Sequence, residues 1–305
     1  GGLIQAQAES GGRVDPRFSD DNDRVYLRRA RVNVQGKFAE HFDFKSELDL
    51  AGSLGNASGL RAQATDVYVN WTKHPFARIR AGQFKSPYGF EQLYSDPVLL
   101  TPERTMASDR IAIGRQLGVQ LGGDLANKRL TYSLGAFNGN GTNISNNDDE
   151  GFLTAARLSA KLLDGKTKWN IGANGFVSDD RSVSVAPELG FAGNTFAGSR
   201  EAWGVDTQFS SGPFEAWAEL LTARFEPNSG ASRELTGAYL LGAYTLTKNI
   251  QAVARYETYD WETADTDLWT IGGNYLFKGQ DLKLQLFLLH SEEDDRVMAR
   301  LQAAF

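Results

Sequence analysis

Apolar and polar residues exchange places at every second position along most of this chain. That period sends alternate side chains to opposite faces of an extended strand, so it excludes helix as the dominant element. Phe42, Phe44, Leu48 and Leu50 alternate with Asp43, Lys45, Glu47 and Asp49. Thr65, Val67, Val69 and Trp71 alternate with Asp66, Tyr68 and Asn70. The pattern recurs through Leu282, Leu284, Leu286 and Leu288 and ends on Val297, Ala299, Leu301, Ala303 and Phe305. With a weaker run at Ile4, Ala6 and Ala8, about sixteen segments are expected, each near the ten residues of a tilted membrane-spanning strand.

The connections alternate as well, short then long. Short turns are read near Ala39–His41, Lys73–Pro75, Ala126–Lys128, Leu163–Lys166, Ser210–Pro213, Thr247–Asn249 and Lys278–Gln280. Long connections fall between them, among them Gly11–Asn22, Ser53–Gln63, Asn138–Gly151 and Ser178–Arg200. A soluble sandwich has no reason to keep that parity, whereas an outer-membrane barrel keeps short turns inside and long loops outside. Aromatic residues agree: Phe38 and Phe42, Trp71 and Phe76, Phe209 and Phe214, and Tyr275 and Phe277 flank the short turns, where an interfacial girdle belongs. The expected fold is all-β: one transmembrane antiparallel barrel over residues 1–305, with both termini periplasmic. The chain opens at Gly1, as a processed or trimmed one would.

There is no cysteine, so neither disulfides nor a cysteine-based metal site can form. No apolar run reaches the length of a membrane helix, and a mean hydropathy of −0.39 does not argue against a barrel, whose lumen-facing residues lower the average. A formal charge of −6 argues against nucleic acid as a partner. The segment Ala160–Thr167 mimics a phosphate-binding loop, but Ala160 replaces the first glycine and a strand pattern follows it. His41, His74 and His290 stand apart at segment ends, and no Ser–His–acid set stands out. No catalytic residue, metal or cofactor is expected.

One stretch breaks the pattern. Residues 85–115 form a long irregular insertion with three prolines, and such a loop in a compact domain is usually functional. It carries Lys85, Arg104, Arg110 and Arg115 among Glu91, Asp96, Glu103 and Asp109. The expectation is a third external loop folded into the lumen as a constriction. Strict alternation also points Arg29, Arg31, Lys45, Arg78, Arg80 and Arg157 into the lumen. Arg28 does not fit, since alternation places it on the lipid face unless a bulge intervenes.

The motifs GQFKSPYGFE at Gly82–Glu91, PERT at Pro102–Thr105 and GRQLGV at Gly114–Val119 are similar to those of the phosphate-selective porins of the O and P type. RRARVNVQG at Arg28–Gly36 and the terminal RLQAAF fit the same family. The resemblance implies a sixteen-stranded, trimeric diffusion pore of a Gram-negative outer membrane. Its studied members bind phosphate on arginines and lysines. This third loop has only the separated Ser86, Ser95 and Ser108, not a serine cluster. The expected function is therefore passage of small hydrophilic solutes with a weak anion preference. The alternatives are a non-selective or cation-preferring pore, or a barrel that sheathes a partner protein. Acidic runs such as Asp20, Asp21 and Asp148–Glu150 are read as solvated loop tips, or as sites where divalent cations bridge to lipopolysaccharide.

Overall fold

The computed structural model describes residues 1–18, 23–51, 61–147, 151–261 and 264–305. Asp20, Asp21, Asp148, Asp149 and Glu150 lie outside them. Sixteen antiparallel strands form one closed barrel in which each strand pairs with its sequence neighbours and the first pairs with the last. They are β1 (Gly2–Gly11), β2 (Arg24–Phe38), β3 (Phe42–Asp49), β4 (Gln63–His74), β5 (Ala77–Lys85), β6 (Arg115–Leu125), β7 (Leu130–Phe137) and β8 (Leu153–Asp164). The second half comprises β9 (Thr167–Ser184), β10 (Thr195–Ser211), β11 (Phe214–Pro227), β12 (Arg233–Thr247), β13 (Ile250–Trp261), β14 (Ala264–Lys278), β15 (Leu282–Ser291) and β16 (Asp295–Ala304). Closure leaves no unpaired edge, which hydrocarbon requires because it offers backbone groups no partner.

The alternation is visible in β15, where Leu282, Leu284, Leu286 and Leu288 are exposed on the outer face while Lys283, Gln285, Phe287 and Leu289 are buried inside. The short turns carry outward aromatics, including Phe38 and Phe42 stacked at 5.6 Å and Tyr275 and Phe277 at 4.7 Å. Register fixes closure: Leu3 sits opposite Ala304, and the backbone N–H of Phe305 donates to the Gly2 carbonyl at 3.0 Å.

Register shifts interrupt several strand pairs, and two of them bear on the lumen beside the third loop. The first lies where Gln5 pairs with Arg29 but Ala6 pairs with Leu27, leaving Arg28 unpaired. The second lies where Ser46 pairs with Val67 but Leu48 pairs with Ala64. Each extra residue lets neighbouring side chains share the inner face. Arg28 consequently turns inward, and Thr65, assigned to the outer face by alternation, is buried with its hydroxyl donating to a Glu47 carboxylate oxygen at 2.8 Å.

Between β5 and β6, residues 86–114 fold back against the inner wall. They include two short helices, α1 (Phe90–Leu93) and α2 (Met106–Arg110). Thr105 caps α2 by accepting from the Ser108 N–H at 3.2 Å. The wall facing this segment is apolar: Trp217, Tyr239, Leu241, Val253, Leu268, Phe287 and Met298 pack with Phe90, Leu99 and Leu100. Phe90 and Tyr94 meet the Trp217 ring edge-on at 5.4 and 4.7 Å. Each such pair contributes about 0.5–1.5 kcal/mol beyond its buried area.

Candidate functional site: the lumen between the third loop and the wall

The loop is held by side chains of the wall reaching its backbone. Glu219 on β11 accepts from the N–H groups of Phe90 and Glu91, and Asn174 on β9 accepts from Gly89 N–H at 3.1 Å. On the other side, Lys283 donates to the Leu99 carbonyl at 2.7 Å, Asn274 to Leu100 at 3.0 Å and Gln302 to Pro97 at 2.9 Å. Arg255 donates to the Glu103 carbonyl at 2.8 Å and to Thr101 Oγ1 at 2.9 Å. An irregular segment away from bulk water needs such partners, because each unpaired polar group there is costly.

Ion pairs complete the anchorage. Glu103 receives a two-pronged bond from Arg28 at 2.8 and 2.9 Å and is also paired with Arg300. Asp96 is clasped by Arg104 at 2.7 Å, Arg29 at 3.0 Å and Arg31. Arg17 joins Asp15 and Asp109, at 2.7 and 2.8 Å. Glu91 accepts from both the N–H and the hydroxyl of Thr105 at 2.8 Å, tying α1 to α2. Burial pushes the Asp96 carboxyl up, but Arg104, Arg29 and Arg31 outweigh it and hold it well below the usual carboxylate range. Burial likewise raises Glu103, and Arg28 and Arg300 more than reverse that.

Opposite this lattice a cavity of about 360 Å³ separates the loop from β2–β6. Leu93, Ser95, Asp96 and Pro97 line it on the loop side; Arg31, Lys45, Glu47, Asp66, Tyr68, Arg80, Lys85 and Arg115 line the wall side. Most of these cations are neutralised where they stand. Arg115 meets Asp66 at 2.7 Å, Lys45 meets Asp66 at 2.9 Å and Glu47 at 3.0 Å, and Arg31 meets Asp49 at 2.8 Å. Lys85 has no carboxylate within 4.0 Å among the described residues, and its ammonium is spent on the carbonyls of Gln92 at 2.6 Å and Tyr94 at 3.1 Å.

Arg80 is different. Its Nε donates to Asn70 Oδ1 at 2.8 Å and its guanidinium lies 4.2 Å from the Tyr68 ring centroid, with no carboxylate within 4.0 Å among the described residues. Arg80 also borders a second cavity of about 250 Å³ toward the short-turn end, shared with Arg78, which is paired to Asp124 at 3.0 Å. It therefore stands where two lumen spaces adjoin.

The residues expected in the lumen thus separate. Arg31, Lys45, Arg80, Lys85 and Arg115 line the main cavity and Arg78 the lower one. Arg29, Glu91, Glu103 and Arg104 are buried beneath the loop, between 0% and 6% exposed, and Asp109 pairs with Arg17. Arg110 pairs with Glu188 beside a separate space near the outer mouth, and Arg157 pairs with Asp206 at 2.7 Å on β8. Alternation places Tyr68, Asn70 and Glu219 on the lumen face, but nothing in the sequence marks them, or Asn274, as the partners of Arg80 and of the loop. Apolar residues at inward positions of β11–β16, such as Trp217, Leu241 and Leu289, were the available sign of where the loop docks.

A family model for phosphate-selective porin O and P matches residues 11–304. The chain belongs to this porin family. Porin O of Pseudomonas aeruginosa is 21% identical over 98% of this chain and 74% of its own length. An anion-selective porin from Comamonas acidovorans has the same fold, with a TM-score of 0.71 over 100% of this chain and 98% of that one at 15% identity. The trimer form of OmpT from Vibrio cholerae matches with a TM-score of 0.66 at 11% identity, covering 100% of this chain and 98% of that one. As a member of this family, the porin resides in the Gram-negative outer membrane and passes small hydrophilic solutes by diffusion.

Proposed function

We propose that solutes cross through the space between residues 93–97 and the β2–β6 wall, and that this constriction gives the porin a weak preference for anions. The observation that carries the reading is Arg80, a cation without a carboxylate partner in a lumen whose other charges are largely paired. A charge in a narrow passage with low-dielectric walls acts more strongly than the same charge in water, so one uncompensated guanidinium outweighs the acidic total of the chain. The pairing of Arg31, Lys45 and Arg115 keeps the preference weak. The work is that of a channel: the charged groups of the lumen hold a loop and tune a passage. As with the trimer form of OmpT, three copies are the assembly we expect, set in outer-membrane lipid and lipopolysaccharide.

Reversal potentials in a planar bilayer under a potassium chloride gradient test the selectivity. The native porin should give a value of anionic sign, and Arg80→Gln should move it toward zero. A cation-selective native channel, or one that Arg80→Gln leaves unchanged, overturns the assignment.

A further inference from the structure

The main cavity has two unlike sides. On the wall, Arg80 offers the terminal nitrogens of a guanidinium fork, since among the described residues only its Nε is hydrogen-bonded, to Asn70. That guanidinium is held in place by Asn70 at 2.8 Å and by the faces of Tyr68 at 4.2 Å and Phe84 at 5.2 Å. On the loop, the cavity is lined by the partly buried Leu93 and Pro97, by Ser95 and by the already clasped Asp96, while Tyr94 between them turns away to pack on Trp217. A solute in this space therefore meets one open cationic fork and one apolar edge.

We infer that the constriction favours small organic monoanions, namely carboxylates with an apolar or aromatic body, over inorganic dianions. This rests on the anion preference proposed above. A planar carboxylate can take both terminal nitrogens of Arg80, and such two-pronged charge-assisted bonds are stronger than neutral ones. A single open fork neutralises one negative charge. A dianion bound there would keep a second charge that Lys85, committed to two carbonyls, and Arg31, Lys45 and Arg115, committed to carboxylates, do not meet. The apolar body gains instead by leaving water for Leu93, Pro97 and the Tyr68 ring. Binding stays weak because a single fork supplies the charge contact and Arg80 borders a second lumen space as well.

The test is competition with chloride current through the purified porin, at constant ionic strength. Acetate, benzoate and inorganic phosphate at about pH 8 are the probes, the last then being mostly dianionic. Benzoate should reduce chloride conductance at roughly tenfold lower concentration than phosphate, with acetate between them; a tenfold change corresponds to about 1.4 kcal/mol. Arg80→Gln should weaken benzoate block about tenfold, while Arg80→Lys, which keeps the charge but not the fork, should recover only part of it. Leu93→Asn should bring benzoate block down to the level of acetate while leaving acetate block itself within about twofold of native. Phosphate blocking as well as benzoate, or benzoate block persisting in both Arg80→Gln and Leu93→Asn, overturns the inference. A native reversal potential of cationic sign defeats the underlying anion reading instead. Gel mobility with and without heating confirms that each variant is a folded barrel, and because Leu93 lies on the loop rather than the wall, its variant tests the inference if Arg80→Gln does not assemble.

Discussion

Asp96 and Gly82 show how single residues carry the site. Asp96 is buried and balances Arg104, Arg29 and Arg31, so Asp96→Asn leaves three guanidinium groups around a neutral amide. Breaking a buried pair from one side costs about 3–5 kcal/mol. The expected result is a loosened loop, read as higher and noisier single-channel conductance in a barrel that still assembles. The same carboxylate sets an acid limit. Asp96 and Glu103 both titrate lower in the folded protein than unfolded, where carboxyls titrate near about 4. Their contribution is therefore complete above the unfolded value and is lost as pH falls through the lower folded values. Any change in conductance that these two carboxylates cause should therefore fall below about pH 4; a transition nearer neutrality would point to the other side chains that hold the loop, such as Glu219 and Lys283. Gly82 adopts φ +129°, and an added Cβ would lie 2.2 Å from the Val67 carbonyl oxygen. Gly82→Ala must move β4 or β5 just before the loop departs. A loss of about 1–3 kcal/mol is expected, seen as heat denaturation of the folded gel band at lower temperature.

The third loop is the element on which the lumen depends. It occupies the β11–β16 side through Phe90, Leu99 and Leu100 and leaves the β2–β6 side open. Removing Gln92–Ala107 should empty the occupied side and raise single-channel conductance severalfold, roughly in proportion to the cross-section regained. Unchanged conductance in a folded deletion variant would place the constriction elsewhere. The insertion, its prolines and its charges were legible in the sequence. Its orientation was not, because the wall residues that hold it, Glu219, Asn274 and Lys283, lie more than a hundred residues away. The bulges were half legible: Arg28 broke the pattern visibly, whereas Thr65 is compatible with either face and gave no sign.

Across the whole molecule, selectivity is a matter of field. Many of the described lumen charges cancel in pairs within a few ångströms, and on the function proposed here Arg80 supplies the residual potential at the constriction. Such a potential is screened as the Debye length falls from about 10 Å at 0.1 M salt to about 3 Å at 1 M. The anion-to-cation permeability ratio should therefore drift toward unity as mean salt rises over that range, while conductance climbs. A ratio independent of salt would mean that selection occurs by direct contact alone.

By itself the sequence determined the barrel: the period of two, the parity of short and long connections and the aromatics at the short turns are local properties that survive in any register. It also determined which residue types face inward, so Arg31, Lys45, Arg78, Arg80 and Arg115 could be placed in the lumen from their positions alone. Only the tertiary structure decided which of those charges are spent. Pairing depends on the stagger between neighbouring strands, on bulges such as those in β2 and β4 and on where a thirty-residue loop comes to rest, none of which a period records. Lys45 and Arg80 are alike in the sequence, inward cations on strands before the loop. In the barrel, Asp66 and Glu47 close on Lys45 at 2.9 and 3.0 Å, while Arg80 is left with an amide and an aromatic face.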